Sequence, residues 1–320
     1  MLEQRSELQE RSFIHILRVV RRKDCSLSNT KNLHIYSTYS NYKMQNKNTQ
    51  LSLSVIIPVF NGEETIENCI RSVKNQSITP EEIVVVDDCS YDSTHEKLQK
   101  ISGIKIISHE KNKGVSSARN SGFRASSGNI VVFIDSDTVL EENFLEILVE
   151  KFESRHDVSA IGGEEYTVTK TGYANRFRSL YLSNKFNFKT DTETRVLFGI
   201  AMAFRRECLL DIGLFDESFV PTGGEDVDIC LRIYNARYKL LYVPNLKVYH
   251  YRNDSVKSLV RTGYRYSVLG RKAFAKNQTN VGIRLDSLTR RRLPHNIIDL
   301  PLYILILSVE VLALLTTLNR

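Results

Sequence analysis

The sequence of 320 residues lacks the cysteine patterns that mark small stapled proteins. Its five cysteines, Cys25, Cys69, Cys89, Cys208 and Cys230, are odd in number and widely spaced, and none forms a C-x-x-C pair. This arrangement argues against a zinc module and against a disulfide framework. We therefore expect reduced cysteines in a protein that faces the cytosol.

Two nucleotide-binding signatures are also missing. No G-x-G-x-x-G follows the first apolar run, and no G-x-x-x-x-G-K-[ST] occurs anywhere in the chain. Their absence disfavours a dinucleotide-binding Rossmann domain and a P-loop nucleotidase. No repeat with a period of about 20–50 residues is visible either, which argues against a repeat protein.

Charge is unevenly distributed along a chain whose composition is otherwise ordinary, with 42% hydrophobic and 25% charged residues. The formal net charge is +7. Residues 51–250 carry 23 basic and 29 acidic side chains, whereas residues 251–296 carry 11 basic and two acidic ones. Positive charge therefore lies near the ends of the chain, next to whatever those ends contact.

Sequence patterns divide the chain into four regions. Residues 1–50 are polar and lack periodicity, so we expect a poorly structured N-terminal extension, with Met44 as an alternative start. Residues 51–250 form the regular domain. Residues 251–296 form a basic helical region, and residues 297–320 form a C-terminal hydrophobic helix.

Apolar runs of strand length alternate with helical patterns in the regular domain. The runs are LSVIIPVF (53–60), EEIVVVDD (81–88), GIKIISHE (103–110) and NIVVFIDSD (129–137), and an amphipathic segment follows each. This alternation predicts an α/β fold with a mostly parallel central sheet and helices on both faces. In such sheets, ligands bind beyond the carboxyl ends of the strands.

Polar side chains cluster where three of these predicted strands end. The set comprises Asn61, Glu63, Asp87, Asp88, Asp135 and Asp137. Because the ends of parallel strands meet at one edge of a sheet, we expect these side chains to converge. The D-x-D pair Asp135 and Asp137 offers hard oxygen ligands suited to Mg²⁺ or Mn²⁺, although an isolated match is more often an acidic turn.

A second acidic group follows a diglycine turn in GGEDVDICLRI (223–233). Acids in a first helical turn are favoured by the helix dipole alone, which explains Asp228. It explains less well the pair Glu225 and Asp226 directly after the turn. A carboxylate in that place could accept the proton of a hydroxyl group.

Six segments in this order resemble family 2 glycosyltransferases, which have the GT-A fold. They are SVIIPVFNGEETIENCIRSVKNQ, EIVVVDDCSYDST, NKGVSSARNSG, VVFIDSDT, GIAMAFRRECLLDIGLFDESF and GEDVDICLRI, and they cover roughly residues 53–250. The resemblance implies a transferase that uses Mn²⁺ or Mg²⁺. It would move a sugar with inversion from a nucleotide-diphosphate sugar to a glycan or lipid-linked acceptor, in cell-surface glycan or glycolipid synthesis.

The same resemblance implies roles for individual residues. Asp226 would act as the catalytic base, with Glu225 beside it. Asp88 would contact the nucleotide base, and Asp135 would lie near the ribose. The implied nucleotide site comprises Pro58, Phe60, Asn61, Glu63, Asp88, Gly114, Arg119 and Asp135.

The implied metal site comprises Asp137 as the direct ligand, Asp135, and His250 as a third ligand. His250 ends the strand-like LYVPNLKVYH, and imidazole suits metals of the Mn²⁺ type. A purely structural histidine is the alternative. We expect His109 and His156 to be surface residues without a role.

The C-terminal region predicts membrane association. LPLYILILSVEVLALLTTL (300–318) contains one charged residue, Glu310, and just reaches the length of a transmembrane helix. A buried or amphipathic helix is the alternative, because Glu310 is costly in lipid. The preceding Arg290–Arg292 favours the cytoplasmic face of a membrane. The basic helices could bind anionic headgroups or form a solvated surface, and we expect no nucleic-acid partner.

Two other functions remain open. A sugar-phosphate nucleotidyltransferase usually has a basic, glycine-rich loop after its first strand, whereas this loop is PVFNGEE. A membrane-tethered nucleotide-sugar-binding protein without activity would need no base, yet Glu225 and Asp226 are both present. Both alternatives are therefore disfavoured relative to a transferase.

Overall fold

The fold is organised around one mixed sheet. The computed structural model describes residues 51–169, 171–182, 186, 188–278 and 296–318. The strands are β1 (Leu53–Val59), β2 (Glu82–Asp87), β3 (Lys105–Ser108), β4 (Ile130–Ile134), β5 (Thr138–Leu140), β6 (Val158–Thr169), β7 (Thr192–Thr194), β8 (Ala201–Arg205) and β9 (Lys239–Arg252). Their order is β3-β2-β1-β4-β8-β6-β9-β5, and β7 pairs with β9 outside this path.

The first half of the sheet is parallel and confirms the predicted strand–helix alternation. β1 pairs in parallel with β2 and β4, and β2 pairs in parallel with β3. Every residue of β1 and β4 is buried, so both faces of these strands are covered, as their continuous apolar runs predict. The intervening helices are α1 (Ile66–Lys74), α2 (Thr94–Gln99), α3 (Val115–Arg124) and α4 (Phe144–Ser154).

The second half of the sheet is mixed and contains mostly antiparallel pairs, so the expectation of a mostly parallel sheet was wrong. β8 runs antiparallel to both β4 and β6. β9 is parallel to β6 but antiparallel to β5 and β7. An apolar run reports burial on both faces of a strand, whereas strand direction depends on how the chain connects neighbouring strands.

The other described helices lie in the second half of the chain. They are α5 (Tyr173–Phe177), which continues into a π-helical turn (Arg178–Leu182), α6 (Arg206–Ile212), α7 (Glu225–Asn235), α8 (Val256–Lys276) and α9 (Leu300–Leu318), preceded by a 3₁₀ turn (Ile297–Asp299). A capping box of Ser255 and Ser258 begins α8. α9 packs on α8 and buries one face, which includes Ile306 and Glu310.

The C-terminal expectations have different outcomes. α8 confirms the predicted helix in the first part of residues 251–296. Across the described portion of the chain, no helix combines the length and apolar character needed to cross a membrane, so the transmembrane segment expected at 300–318 is not supported. Residues 1–50, including Met44, and the Arg290–Arg292 run lie outside the described residues.

Candidate active site

A cleft of about 1910 Å³ opens along the carboxyl ends of β1, β2 and β4. Its lining contains acidic residues from both halves of the sheet together with one histidine. These residues are Asp88, Asp135, Asp137, Glu164, Glu165, Glu225, Asp226, Glu310 and His250. The convergence expected from the strand order therefore extends to residues that are far apart in sequence.

The two carboxylates of the D-x-D sequence point to different partners. Asp135 Oδ1 accepts a hydrogen bond of 2.8 Å from Arg119 Nη2. Asp137 Oδ2 lies 3.0 Å from His250 Nε2. The turn between β4 and β5 holds both acids, because the backbone oxygen of Asp135 accepts the N–H and the hydroxyl of Thr138. Both side chains remain about one-third exposed to the cleft.

The same two acids also differ in acidity. Partial removal from water by the surrounding protein raises the pKa of Asp135 to about 6, although the positive charge of Arg119 opposes this shift. Burial alone would raise the pKa of Asp137 as well, but the hydrogen bond and charge of His250 hold it below the usual range. Asp137 is therefore the acid of the pair that is ionised throughout the neutral pH range.

Asp137 and His250 form a pair of donors that fits a divalent cation. Among the described residues, no three His, Cys, Asp or Glu side chains form a ready-made metal cluster, so the expected set with Asp135 is not assembled. The 3.0 Å between Asp137 Oδ2 and His250 Nε2 nevertheless matches the spacing of about 3 Å between adjacent ligands of an octahedral cation. Mg²⁺ usually takes its other ligands from water and substrate phosphates.

The diglycine turn before α7 is required by close packing. Gly224 is the N-cap residue and has φ 84°, in the left-handed region that favours glycine. A Cβ atom at Gly224 would lie 2.6 Å from the backbone oxygen of Leu269 in α8. The turn therefore lets α7 begin directly beside α8, with its first acidic residues at the cleft.

The acidic pair that begins α7 is divided between the interior and the cleft. Glu225 is buried, and its Oε2 accepts a 2.7 Å hydrogen bond from the N–H of Gly223. Burial and the charge of Asp226 raise the pKa of Glu225, although Arg119 acts in the opposite direction. Asp226 is partly exposed, and the N–H groups of Gly199 and Val227 donate to its carboxylate. Asp226 is thus the acid of the pair that a substrate can reach.

Arg119 joins the two acidic motifs. Its side chain is 2% exposed and donates through Nη1 to Glu225 Oε1 at 3.1 Å and through Nη2 to Asp135. Nη2 also donates to the backbone oxygen of Gly199, and the guanidinium lies over the ring of Phe215. The nucleotide contact expected of Arg119 stays a prediction, since its guanidinium is engaged by protein groups.

Asp88 secures the loop that enters α3. Its carboxylate accepts the N–H groups of Lys113 and Gly114 at 2.9 and 2.7 Å. His109 Nδ1 lies 2.6 Å from Asp88 Oδ1, and His109 Nε2 lies 2.9 Å from Ser121 Oγ. The contact of Asp88 with a nucleotide base stays a prediction, but its described partners are loop groups.

The expectation that His109 lies on the surface was wrong, because the residue is buried. β2 and β3 pair in parallel with Asp87 opposite Ser108, so Asp88 and His109 follow as neighbours at the ends of the two strands. The register of β2 and β3 therefore explains why His109 is buried beside Asp88, which its position in the sequence alone did not indicate. His156, by contrast, is exposed, as expected.

The loop after β1 supplies one side of the cleft. Pro58, Phe60 and Asn61 line it, as does Gly114 from the opposite loop. Glu63, expected in the nucleotide site, is not among the lining residues, and its carboxylate instead accepts the N–H of Ser93. The chain bends at Asn61, which has φ 52°, and the Glu63 side chain lies toward the loop before α2.

The sequence analysis did not assign Glu165 and Arg252 to the site, although both line the cleft near His250. Glu165 Oε1 lies 2.8 Å from Nδ1 of His250. Arg252 follows His250 by two positions on β9, so the two share a strand face. Burial disfavours the charge of Arg252, but Tyr266, Asp137 and Glu165 keep its pKa raised. The alternation of His250 and Arg252 is the sequence signal that could have identified Arg252.

Comparisons with known proteins give one family. The family model described as "Glycosyl transferase family 2" matches residues 54–213. "Glycosyltransferase GlyA" of Streptococcus pneumoniae serotype 4 is 30% identical over 213 residues, which cover 62% of this chain and 30% of GlyA. The chain thus corresponds to less than a third of that relative's length.

Solved structures share the fold. S. aureus TarS 1-349 in complex with UDP superposes with a TM-score of 0.53 at 20% identity, covering 82% of this chain and 81% of TarS 1-349. GalNAc-T7 with UDP, GalNAc and Mn²⁺ superposes with a TM-score of 0.52 at 21% identity, covering 82% and 55% of the two chains. These similarities agree with the α/β fold of GT-A type expected from the sequence.

Proposed function

Because this chain belongs to glycosyl transferase family 2, we propose that it transfers a sugar from a nucleotide-diphosphate sugar to an acceptor hydroxyl in glycan synthesis. One observation carries this proposal: a single cleft holds the accessible carboxylate of Asp226 and the donor pair Asp137 and His250. A base and a cation-binding pair in one cleft are the two devices that such a transfer needs.

The donor nucleotide is proposed to bind at the carboxyl ends of β1 and β2. Pro58, Phe60 and Asn61 form one wall, and Gly114, held by Asp88, forms the other. Phe60 is 44% exposed at the rim and offers an apolar ring to a base. Support for this ligand class comes from TarS, whose structures contain UDP and UDP-GlcNAc.

Asp137 and His250 are proposed to hold Mn²⁺ or Mg²⁺. When bound, such an ion would neutralise the negative charge of a diphosphate leaving group. Asp135, which Arg119 holds apart from this pair, is proposed to lie toward the ribose. The Mn²⁺ in the GalNAc-T7 structure supports a divalent cation in this fold.

A substitution at Asp137 tests this assignment. Asp137→Ala should abolish the increase in nucleoside-diphosphate affinity that Mn²⁺ produces, measured by calorimetry with UDP. Affinity without metal should change little, because Asp137 has no other proposed contact with the nucleotide. An unchanged Mn²⁺ effect would contradict the assignment.

Asp226 is proposed to act as the base in a single displacement. Hydrogen bonds from Gly199 and Val227 hold its carboxylate at the cleft. As the acceptor oxygen bonds to the anomeric carbon, the bond from that carbon to the phosphate oxygen breaks, and the hydroxyl proton passes to Asp226. Attack opposite the leaving group inverts the configuration of the anomeric carbon.

A nucleotide-sugar panel tests the function as a whole. The purified chain is incubated with each sugar donor, Mn²⁺ and simple hydroxyl acceptors, and release of nucleoside diphosphate is measured. NMR of the product then reports its anomeric configuration. We expect turnover with at least one donor and an inverted product. Binding without turnover would instead favour a nucleotide-sugar-binding protein, and release of pyrophosphate from sugar phosphate and nucleotide would favour a nucleotidyltransferase.

We also propose that the C-terminal region associates with the cytoplasmic face of a membrane and receives a lipid-linked acceptor. Three apolar side chains of α9, Ile304, Leu305 and Leu312, are 45–55% exposed. The neighbouring helix α8, which packs against α9, carries several basic side chains. Flotation with vesicles tests this: binding should require anionic lipid and weaken with salt. Equal recovery with and without vesicles would contradict it.

A further inference from the structure

His250 is held between two carboxylates, one at each ring nitrogen. Nδ1 lies 2.8 Å from Glu165 Oε1, and Nε2 lies 3.0 Å from Asp137 Oδ2. The His250 side chain is 4% exposed, and the Glu165 side chain is 17% exposed. The proposed function uses Asp137 and His250 and leaves Glu165 without a role.

The sheet sets the position of Glu165. β6 and β9 run in parallel, with Glu165 opposite Val248 and Thr167 opposite His250. Glu165 therefore reaches His250 diagonally across two paired strands. β9 is also paired on its other side, where Thr138 of β5 lies opposite His250, so backbone pairing holds the ring in place.

The chemistry of imidazole gives this contact a consequence. A neutral histidine binds a cation through one nitrogen and carries its proton on the other. An ionised carboxylate can only accept a hydrogen bond, so Glu165 requires a proton on Nδ1. Without a cation, Asp137 makes the same demand on Nε2, which carries a proton toward its carboxylate. A cation bound beside Asp137 would replace that proton, so that the lone pair of Nε2 would face the cation while Nδ1 keeps its proton for Glu165.

We propose that Glu165 is a positioning residue that keeps the proton of His250 on Nδ1 and directs Nε2 toward a divalent cation shared with Asp137. This inference rests on the cation-binding part of the proposed function. Carboxylates placed in this way around metal-bound histidines typically change metal affinity by about 10- to 100-fold.

Mn²⁺ binding tests the proposal without relying on turnover. Free aqueous Mn²⁺ is measured by its EPR signal, with Mn²⁺ alone and with UDP present. Glu165→Leu, which removes the acceptor, should weaken Mn²⁺ affinity by about 10- to 100-fold. Glu165→Gln keeps an acceptor oxygen but can also donate through its amide, so its loss should be smaller.

A double substitution separates positioning from general damage. If Glu165 acts through His250, Glu165→Leu should cause no further loss in a His250→Leu background. Glu141→Gln is a matched control, because Glu141 bonds to the neighbouring β9 residue Tyr249 at 2.5 Å and lies outside the cleft lining. That variant should bind Mn²⁺ as the parent protein does.

Each outcome has a defined meaning. Parental Mn²⁺ affinity in Glu165→Leu would overturn the role of Glu165 and leave the metal assignment intact. Failure of the parent protein to bind Mn²⁺ would overturn the metal assignment and this inference together. If circular dichroism shows that Glu165→Leu is unfolded, Glu165→Gln takes its place in the test. The proposal would be overturned if Glu165→Gln lowered Mn²⁺ affinity as much in the His250→Leu background as in the parent protein.

Discussion

The parallel and mixed halves of the sheet contribute different parts of the candidate site. The parallel half, β1 to β4, provides the loops proposed to bind the nucleotide. The mixed half, β5 to β9 with α7, provides Asp226, His250 and Glu165. The first half is built from successive strand–helix units, whereas the second depends on pairings between distant segments. The proposed base and the proposed histidine ligand thus lie in the half of the sheet that contains both parallel and antiparallel pairs.

Arg119 couples the two halves. It lies in α3 of the parallel half and bonds to Asp135, 16 residues away, and to Glu225, 106 residues away. Because the guanidinium is buried, each carboxylate is needed to offset the cost of its charge. Substitutions at Asp226, Arg119, His250 and Glu63 therefore test how the two halves differ.

The largest effect is expected at the base. Asp226→Asn should lower transfer by about 10²- to 10⁴-fold, because the amide cannot take the acceptor proton. Nucleoside-diphosphate binding, measured by calorimetry, should survive, since Asp226 has no proposed contact with the nucleotide or the cation. Glu207→Gln, an exposed acid in the first turn of α6, is the matched control. Near-parental turnover in Asp226→Asn would remove Asp226 from the mechanism.

Loss of the connection between the halves should cost stability. Arg119→Met leaves Asp135 and Glu225 without their buried partner, and we expect a loss of about 3–5 kcal/mol in the free energy of unfolding. Urea denaturation measures this loss. Arg124→Met on the same helix removes a 60% exposed side chain 3.9 Å from Glu217, and should cost less than about 0.5 kcal/mol. Similar losses in both variants would show that Arg119 does not connect the halves.

The contribution of His250, in the mixed half, to the free energy of unfolding should also depend on pH. Burial opposes protonation of His250, but hydrogen bonds to Asp137 and Glu165 raise its pKa to about 9. A pKa above the unfolded value means that protonated His250 stabilises the fold. This contribution is complete below pH 6.5 and is lost as pH rises through 9.

Denaturation in EDTA at several pH values checks this prediction. Between pH 6.5 and 9 the free energy of unfolding should fall by about 3 kcal/mol more in the parent than in His250→Gln. Equal pH dependence in the two proteins would show that the carboxylate contacts of His250 do not stabilise it in this way.

The smallest effect is expected at Glu63. Since this residue does not line the cleft, Glu63→Ala should change nucleoside-diphosphate affinity by less than about 0.5 kcal/mol. Calorimetry with UDP measures the change. A larger loss would return Glu63 to the nucleotide site that the family resemblance implied, and would extend the contribution of the parallel half.

The parallel half could be predicted closely from the sequence. Residues such as Val55 and Val132 are buried on central strands. The runs that contain them are therefore nearly all apolar, and such runs predict strands. The diglycine turn before Glu225 was readable for a similar reason, because few residues other than glycine adopt φ 84° at the start of a helix.

Local sequence therefore determined the strands and helices of the first half, the acids at the strand ends and the start of α7. Tertiary structure alone decided the antiparallel direction of β8, the burial of His109 against Asp88, and the contact of Glu165 with His250. These features depend on which strands become neighbours and in what register. A periodic pattern records how deeply a residue is buried, but it does not record which distant residue lies beside it.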